Sequence, residues 1–516
     1  MRAEFEAREY QKKIAQTAFS SNTLVVLPTG LGKTMIAVLV AAERLRKLPG
    51  SKVMVLAPTK PLVLQHYSTF QRLLDLEPSA FAVLTGTVDP GERELLWVKS
   101  RVIFATPQTV YNDCKHGRIL LKDVSLAVFD EAHRSVKDYT YTKLAGAYRE
   151  NAENPLILGL TASPGGSKEK VREIERNLFI DRVEARTEES EDVRRYVERT
   201  AVEAVRVKVP KQYNEVALWL RELFNERVKK LINVGFLKDS RVSKKVLLEA
   251  RVAMSGRLRS AQASGGEKGY IYGAIINQAQ AVVILHAIEM IETQGAPTLE
   301  RYLERLRDRP DNGRATKSLL RDPIWQKVEE QAAKLAGVPH AKVGLVLSVV
   351  KEQLARKPNS KVIVFTQYRD TIDDIVKALE REGRTCERFV GQSDRSGNKG
   401  MDQETQSKVL KRFAESEFSV LVSSSIGEEG LHVPDVDLVV FYEAVPSEIR
   451  YIQRRGRTGR TRAGRVVILL AEGTVDESYY YSSLFKEGRM RRLVGGAEER
   501  PVRRKMRNPT LLDFVG

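Results

Sequence analysis

The stretch Leu24-Val25-Val26-Leu27-Pro28-Thr29-Gly30-Leu31-Gly32-Lys33-Thr34 decides the fold. An unbroken apolar run opens it, which reads as a strand buried on both faces, and a helical run from Met35 to Arg46 follows. Glycines between strand and helix let backbone N–H groups crowd around phosphates, and the helix N-terminus adds favourable partial charge. In such a loop Thr29, Gly30, Leu31 and Gly32 form the cradle, Lys33 reaches the β and γ phosphates of ATP, and Thr34 ligates Mg2+. Leu27 stands where the general pattern has its first glycine. The alternative, a glycine-rich turn without a ligand, leaves Lys33 buried at the turn without an evident partner.

Outward from this stretch, short apolar runs alternate with helical ones: Val53–Leu56, Val102–Ala105, Leu126–Phe129 and Leu156–Gly159. That grammar predicts a parallel doubly wound α/β sheet. It returns at Lys361–Phe365, Ser419–Val422, Leu438–Phe441 and Val466–Leu470, with helices expected over Thr371–Glu382 and Gln403–Glu415. Between the two, Tyr213 to about Gly337 shows helical spacing and no strand alternation, so a helical insertion is expected. The divisions are 1–203, 204–338 and 339–490, followed by a basic tail at 491–516. Lys229, Lys230, Lys244, Lys245, Arg251, Arg257 and Arg259 in the insertion could track phosphates or merely solvate helix faces.

Two further clusters carry chemistry. Leu126–Phe129 delivers Asp130-Glu131-Ala132-His133 to the carboxyl end of a strand, where open α/β sheets bind ligands. Asp130 is the expected magnesium ligand, and Glu131 the group that orients and deprotonates an attacking water. Far downstream, Tyr451-Ile452-Gln453-Arg454-Arg455-Gly456-Arg457-Thr458-Gly459-Arg460 offers planar guanidiniums for charge building on a transferred phosphoryl group. Arg457 and Arg460 are the candidate arginine fingers, and Gln453 is placed near the γ-phosphate or the water.

Composition sets the frame. The 516 residues are 42% hydrophobic and 29% charged, as a globular chain of several domains requires, and a net charge of +18 favours a polyanionic partner. Cys114 and Cys386 are too few and too far apart for a disulfide framework or a zinc site, which fits a reducing compartment. The N-terminus lacks an apolar leader, and the longest apolar runs read as interrupted before membrane-spanning length, so a cytoplasmic, nucleoid-associated protein is expected.

In motif order, nearly the whole chain resembles superfamily 2 helicases of the DEAH-box-like type, which implies two RecA-like motor domains around an all-helical insertion. Arg8-Glu9-Tyr10-Gln11 resembles the adenine-reading segment, with Arg8 and Gln11 as base contacts. Ala57-Pro58-Thr59-Lys60, Thr85-Gly86 and Ala105-Thr106-Pro107-Gln108 resemble the elements that hold the sugar-phosphate backbone, which assigns that role to Thr59, Lys60, Thr85, Gly86, Thr106 and Pro107. Thr161-Ala162-Ser163-Pro164 resembles the motif linking hydrolysis to nucleic-acid engagement, with Thr161, Ser163 and His133 as coupling residues. Phe365-Thr366-Gln367-Tyr368, Gly391-Gln392, Lys399–Gln406 and Ser425–Leu431 are similar to the archaeal Hef helicase and its Fanconi anaemia M-type relative, placing Thr366, Gln392 and Ser424 on nucleic acid and Gly430 at the nucleotide. Two departures stand out: Ser423-Ser424-Ser425 replaces Ala-Thr-Ser, and His432 replaces an aspartate beside the ATP ribose.

This resemblance implies DNA as partner, forked or branched, with remodelling of replication forks and Holliday junctions. In Hef a nuclease follows the motor; the chain ends at Gly516 before one, implying a separate or removed nuclease domain. Asn508-Pro509-Thr510-Leu511-Leu512-Asp513-Phe514 loosely resembles a sliding-clamp-binding peptide with Leu511 and Phe514 as anchors. Two other functions stay open: a double-stranded-RNA-dependent ATPase of the innate-sensor and Dicer type, and a non-catalytic clamp switched by ATP.

Overall fold

A computed structural model describes residues 6–165, 167–197, 201–240, 242–264, 268–392, 394, 400–424, 435–444 and 464–495. Thirteen strands are present among them: β1 (Thr23–Val26), β2 (Lys52–Leu56), β3 (Phe81–Leu84), β4 (Val102–Ala105), β5 (Val124–Asp130), β6 (Ile157–Thr161), β7 (Arg182–Ala185), β8 (Ala201–Val207), β9 (Val362–Phe365), β10 (Cys386–Phe389), β11 (Val420–Ser423), β12 (Leu438–Phe441) and β13 (Arg465–Ala471). They form two sheets, ordered β3-β4-β2-β5-β6-β1-β7 and β10-β11-β9-β12-β13-β8. Every pairing in both is parallel.

Helices cover both faces of each sheet, which explains the uninterrupted apolar runs. In the first sheet Val25, Val55, Phe104 and Val128 enter one core, while Leu24, Met54, Ile103 and Phe129 enter the other. In the second, Val364, Val422 and Val440 face one way and Phe365, Leu421 and Phe441 the other. With neither face wet, a strand has no polar side to alternate with.

β8 straddles the expected border at residue 203. All seven of its residues pair with β13, from Ala201 opposite Arg465 to Val207 opposite Ala471. It is an edge strand of mixed polarity, Ala-Val-Glu-Ala-Val-Arg-Val, and Glu203 receives two hydrogen bonds from Arg465, both of 3.0 Å.

Helices Lys211–Asn233, Lys244–Ser264, Gly269–Thr293, Ala296–Arg307, Arg314–Leu319 and Pro323–Leu335 build a bundle between the sheets' chain segments. Helix Gly269–Thr293 is long and apolar enough by length and composition to cross a membrane, its most apolar 18-residue window having a mean hydropathy of 1.5, yet Asn277, Gln278, Gln280 and His286 interrupt it and more than half of that window is buried in the protein. Its apolarity serves the bundle core, where Ile284, Ile288 and Ile291 pack with Leu220, Phe224 and Trp325. Two of its buried polar residues are satisfied inside the bundle: Gln278 donates to Leu247 O at 3.0 Å, and Gln280 accepts from Arg227 at 2.7 Å.

Ionic and polar contacts fasten the bundle to the second sheet's unit. Arg301 meets Asp374 at 2.5 Å and Arg305 meets Asp370 at 2.6 Å. Arg221 meets buried Glu292, whose other oxygen accepts from Val475 N at 3.2 Å. Lys342 and Asp476 form a fully buried pair, and Lys342 also donates to Thr293 O at 3.2 Å.

Lys342→Met leaves Asp476 buried without its cation and is expected to destabilise the protein by about 3–5 kcal/mol. Denaturant unfolding should show a lowered midpoint, and Lys342→Met combined with Asp476→Leu should recover much of the loss.

Candidate nucleotide and nucleic-acid site

Parallel pairing brings the predicted residues to one edge. The loop after β1 carries Thr29 to Thr34, β5 ends at Asp130, and β6 ends at Thr161. Register sets Val26 beside Thr161 and Asp130 beside Leu160, so the three strand ends lie level. Gly30 and Gly32 adopt left-handed conformations (φ 86° and 73°), which only glycine takes without strain. Helix Lys33–Lys47 starts immediately after, presenting its N-terminus with Thr34 in the first turn. Lys33 Nζ donates to Leu27 O at 2.9 Å, so the lysine does find a partner, and it is the loop itself.

Gln11 and Tyr10 brace this loop from helix Glu9–Ala18. Gln11 Nε2 and Tyr10 OH both donate to Leu31 O, at 3.1 and 2.7 Å, while Gln11 Oε1 accepts from Arg8 N at 2.9 Å. The Arg8 guanidinium lies over the Tyr196 ring, 4.7 Å from its centroid. Gln11 is thus already engaged at both ends of its amide, and a base edge would have to share or replace these bonds.

Asp130 is buried, and burial alone would raise its pKa. His66, Lys33 and the Glu131 N–H outweigh that and hold it below the ordinary carboxylate value. His66, from helix Lys60–Leu73, sits with Nε2 2.8 Å from Asp130 Oδ2. Sequence reasoning missed this residue. The available signal was a polar side chain on the buried stripe Val63, His66, Phe70, Leu73. Tyr141, whose phenol burial pushes up and so keeps protonated, donates to Asp130 O at 2.7 Å.

Glu131 holds a left-handed backbone (φ 51°), strained for a side chain of its size, and its buried Oε2 has no hydrogen bond among the described residues, lying 3.2 Å from His133 Nδ1. His133 Nδ1 is also 3.2 Å from Thr161 Oγ1. That hydroxyl gives its one proton to Ser163 O at 3.0 Å and accepts from Ser163 N at 3.1 Å, so the imidazole must be the donor toward Thr161. The structure therefore joins His133, Thr161 and Ser163.

A Mg2+–ATP complex needs a hard oxygen ligand, a hydroxyl, a cation near the terminal phosphates and a carboxylate free to take a water. Asp130, Thr34, Lys33 and the unpartnered Glu131 oxygen provide those donors, so the residues fit. Among the described residues no group of three or more His, Cys, Asp or Glu side chains could hold a metal by itself, which suits an ion that shares its shell with phosphates.

The other half of the same edge bears the expected backbone contacts. Thr59 caps helix Lys60–Leu73 after β2, Thr85 and Gly86 follow β3, and Thr106 and Pro107 follow β4. Lys60 Nζ donates to Thr87 Oγ1 at 3.0 Å, and Thr87 meets Thr85 at 3.1 Å. The Thr59 hydroxyl is buried with no hydrogen-bond partner among the described residues. Behind them Arg93 grips Asp113 at 2.6 and 2.7 Å, and Val88 O at 2.5 Å.

The second sheet repeats this layout, with Thr366 after β9, Gln392 after β10 and Ser424 after β11. Gln392 is exposed. Thr366 is fully buried and gives its hydroxyl to Glu443 Oε2 at 2.9 Å, because the bundle closes over this strand end and Gln294 also reaches Glu443 at 3.3 Å. Several insertion cations are likewise engaged: Lys230 pairs with Glu226 at 2.6 Å, and Arg257 lies over Phe236. Gln453, Arg457, Arg460, Gly430, His432, Leu511 and Phe514 lie outside the described residues.

Comparison with known proteins agrees with this layout. The DEAD/DEAH box helicase family model matches residues 8–171, an RNA helicase helical-bundle model matches 212–336, and the helicase conserved C-terminal domain matches 345–462. The crystal structure of the Pyrococcus furiosus Hef helicase domain is similar at 46% identity with a TM-score of 0.69, covering 93% of this chain and 98% of that one. The chain belongs to the Hef-type superfamily 2 helicases. Within this family, the ATP-dependent DNA helicase Mph1 of Sclerotinia sclerotiorum is 34% identical over 92% of this chain. A Methanocaldococcus jannaschii protein, provisionally named an ATP-dependent RNA helicase, is 40% identical over 95% of it. The chain spans 61% of the Methanocaldococcus protein and 40% of the Sclerotinia one.

A Cβ at Gly32 would lie 2.5 Å from Gln11 Nε2 in a left-handed conformation. Gly32→Ala is expected to cost about 1–3 kcal/mol locally and to weaken binding of a fluorescent ATP analogue about tenfold; wild-type affinity would contradict the assigned loop geometry.

Proposed function

We propose that this chain is an ATP-dependent DNA helicase or translocase acting on forked and branched DNA. The observation that carries it is the division of one sheet edge: β5, β6 and β1 end at the phosphate loop and its carboxylates, while β3, β4 and β2 end at threonines, a lysine and helix N-termini suited to a phosphate backbone. Mg2+–ATP, when bound, supplies the phosphoanhydride whose cleavage drives the cycle. Lys33 and the loop N–H groups neutralise phosphate charge, Asp130 and Thr34 hold the ion, and Glu131 orients the attacking water and accepts its proton. Arg457 and Arg460, with Gln453 beside them, would complete the site from the second unit, so that nucleotide binding favours closure and release follows hydrolysis. Thr59, Lys60, Thr85, Thr106, Gln392 and Ser424 hold backbone at spacings that change with closure. DNA as the substrate is supported by likeness to the ATP-dependent DNA helicase Mph1, and the branched preference is what the resemblance to the Hef and Fanconi anaemia M-type helicases implies.

A second reading, an ATPase driven by RNA duplex, is favoured by the Methanocaldococcus relative's name and the RNA helicase bundle match. ATPase and strand-displacement measurements on single-stranded, duplex, forked and four-way DNA beside matched RNA separate the two: stimulation by forked DNA is expected, and stimulation by RNA alone would overturn the DNA reading. Glu131→Gln is expected to abolish turnover while keeping ATP binding. Affinity for DNA should fall steeply with salt, and Lys60→Ala should lower that log–log slope by about one.

A further inference from the structure

His66 stands outside every motif assigned above, yet it touches the carboxylate on which the nucleotide site turns. It projects from helix Lys60–Leu73, whose N-terminus presents Thr59 and Lys60 about 9 Å away along the axis at 1.5 Å per residue. The imidazole is 4% exposed, and its Nε2 lies 2.8 Å from Asp130 Oδ2. Among the described residues its buried Nδ1 has no hydrogen-bond partner. A buried bare lone pair is far less costly than a buried N–H without an acceptor, so the proton belongs on Nε2 and is given to Asp130. A second link runs beside it: the Tyr141 hydroxyl lies 2.7 Å from Asp130 O and 3.2 Å from Leu56 O, at the root of the segment leading to Thr59. His66 thus engages Oδ2 of the carboxylate expected to hold the ion, and the Glu131 N–H also favours its charged form.

We propose that His66 is a positioning residue that makes the orientation of Asp130 depend on how the helix bearing Thr59 and Lys60 is seated. Nucleic acid drawn onto that helix N-terminus and Mg2+–nucleotide held by Asp130 are then thermodynamically linked, each raising the other's affinity by the same factor. This rests on the reading that the site hydrolyses ATP on nucleic acid.

The test compares His66→Leu, which removes the donor and keeps bulk, with His66→Gln, whose amide nitrogen stands where Nε2 stands, and His66→Asn, which is too short. Two binding quantities are read on the full chain: the Mg2+ concentration for half-maximal binding of a fluorescent ATP analogue, and the Kd for forked DNA with and without a non-hydrolysable nucleotide. In His66→Leu the Mg2+ requirement is expected to rise about tenfold. Its DNA affinity without nucleotide should stay within about twofold of wild type, while the ratio of the two DNA Kd values moves toward one. His66→Gln should restore both, and His66→Asn should not. A His66→Leu protein with wild-type Mg2+ requirement and Kd ratio would overturn the proposal, and so would equal impairment in His66→Leu and His66→Gln, which marks mere packing. Should His66→Leu fail to fold, the contrast between His66→Gln and His66→Asn decides in the same way. If the wild type shows no nucleotide effect on DNA affinity and no stimulation by any nucleic acid, the functional reading fails, and the Mg2+ measurement still tests whether His66 positions Asp130.

Discussion

Parallel pairing is the constraint from which the rest follows. A parallel strand cannot return by a hairpin, so each must be followed by a crossover, and every strand in a sheet ends at the same edge. The loops at that edge are the places where chemistry can be collected without disturbing a ladder hydrogen bond. In the first sheet seven strands deliver their ends to one line. Position along that line, rather than distance in sequence, decides which residues meet: Lys33, Asp130 and Thr161 arrive together from three strands, with Thr59, Thr85 and Thr106 beside them from three more.

Buried charge is concentrated where the fold needs a fixed geometry. Lys342–Asp476 and Arg221–Glu292 are buried pairs whose burial opposes ionisation of both carboxylates. Such pairs add little net stability over apolar replacements, yet losing one partner is severe, so they tie register and orientation. Here they join the bundle's central helix and its partner to the start of helices Ala341–Arg356 and Val475–Gly495. The bundle's ionic and polar connections described above run to the second sheet's unit and fasten the bundle to it.

The fold class was legible because a doubly buried strand leaves a compositional trace, and the phosphate loop was legible because its backbone demands glycine at fixed places. Asp130 and Glu131 could be placed because they directly follow such a strand. Other features leave no such trace. β8 is an edge strand with glutamate and arginine among its residues, and nothing local ties it to β13. His66 is recognisable only once helix Lys60–Leu73 is known to turn that face toward Asp130. The burial of Thr366 depends on Gln294 arriving from the bundle, a tertiary contact invisible in either segment alone. Gln11 was legible, by resemblance, as an adenine contact, but not as a residue whose amide is already engaged on the phosphate loop.

β8 also bears on how the chain is made. The first sheet can close as soon as β7 has been synthesised, whereas Ala201 must wait for Arg465 before it has a partner. Throughout that interval a nascent chain carries an unpaired edge strand while the bundle and four further strands emerge. Its Glu203 and Arg206 are charges of the kind that discourage an unpaired edge strand from pairing with another chain.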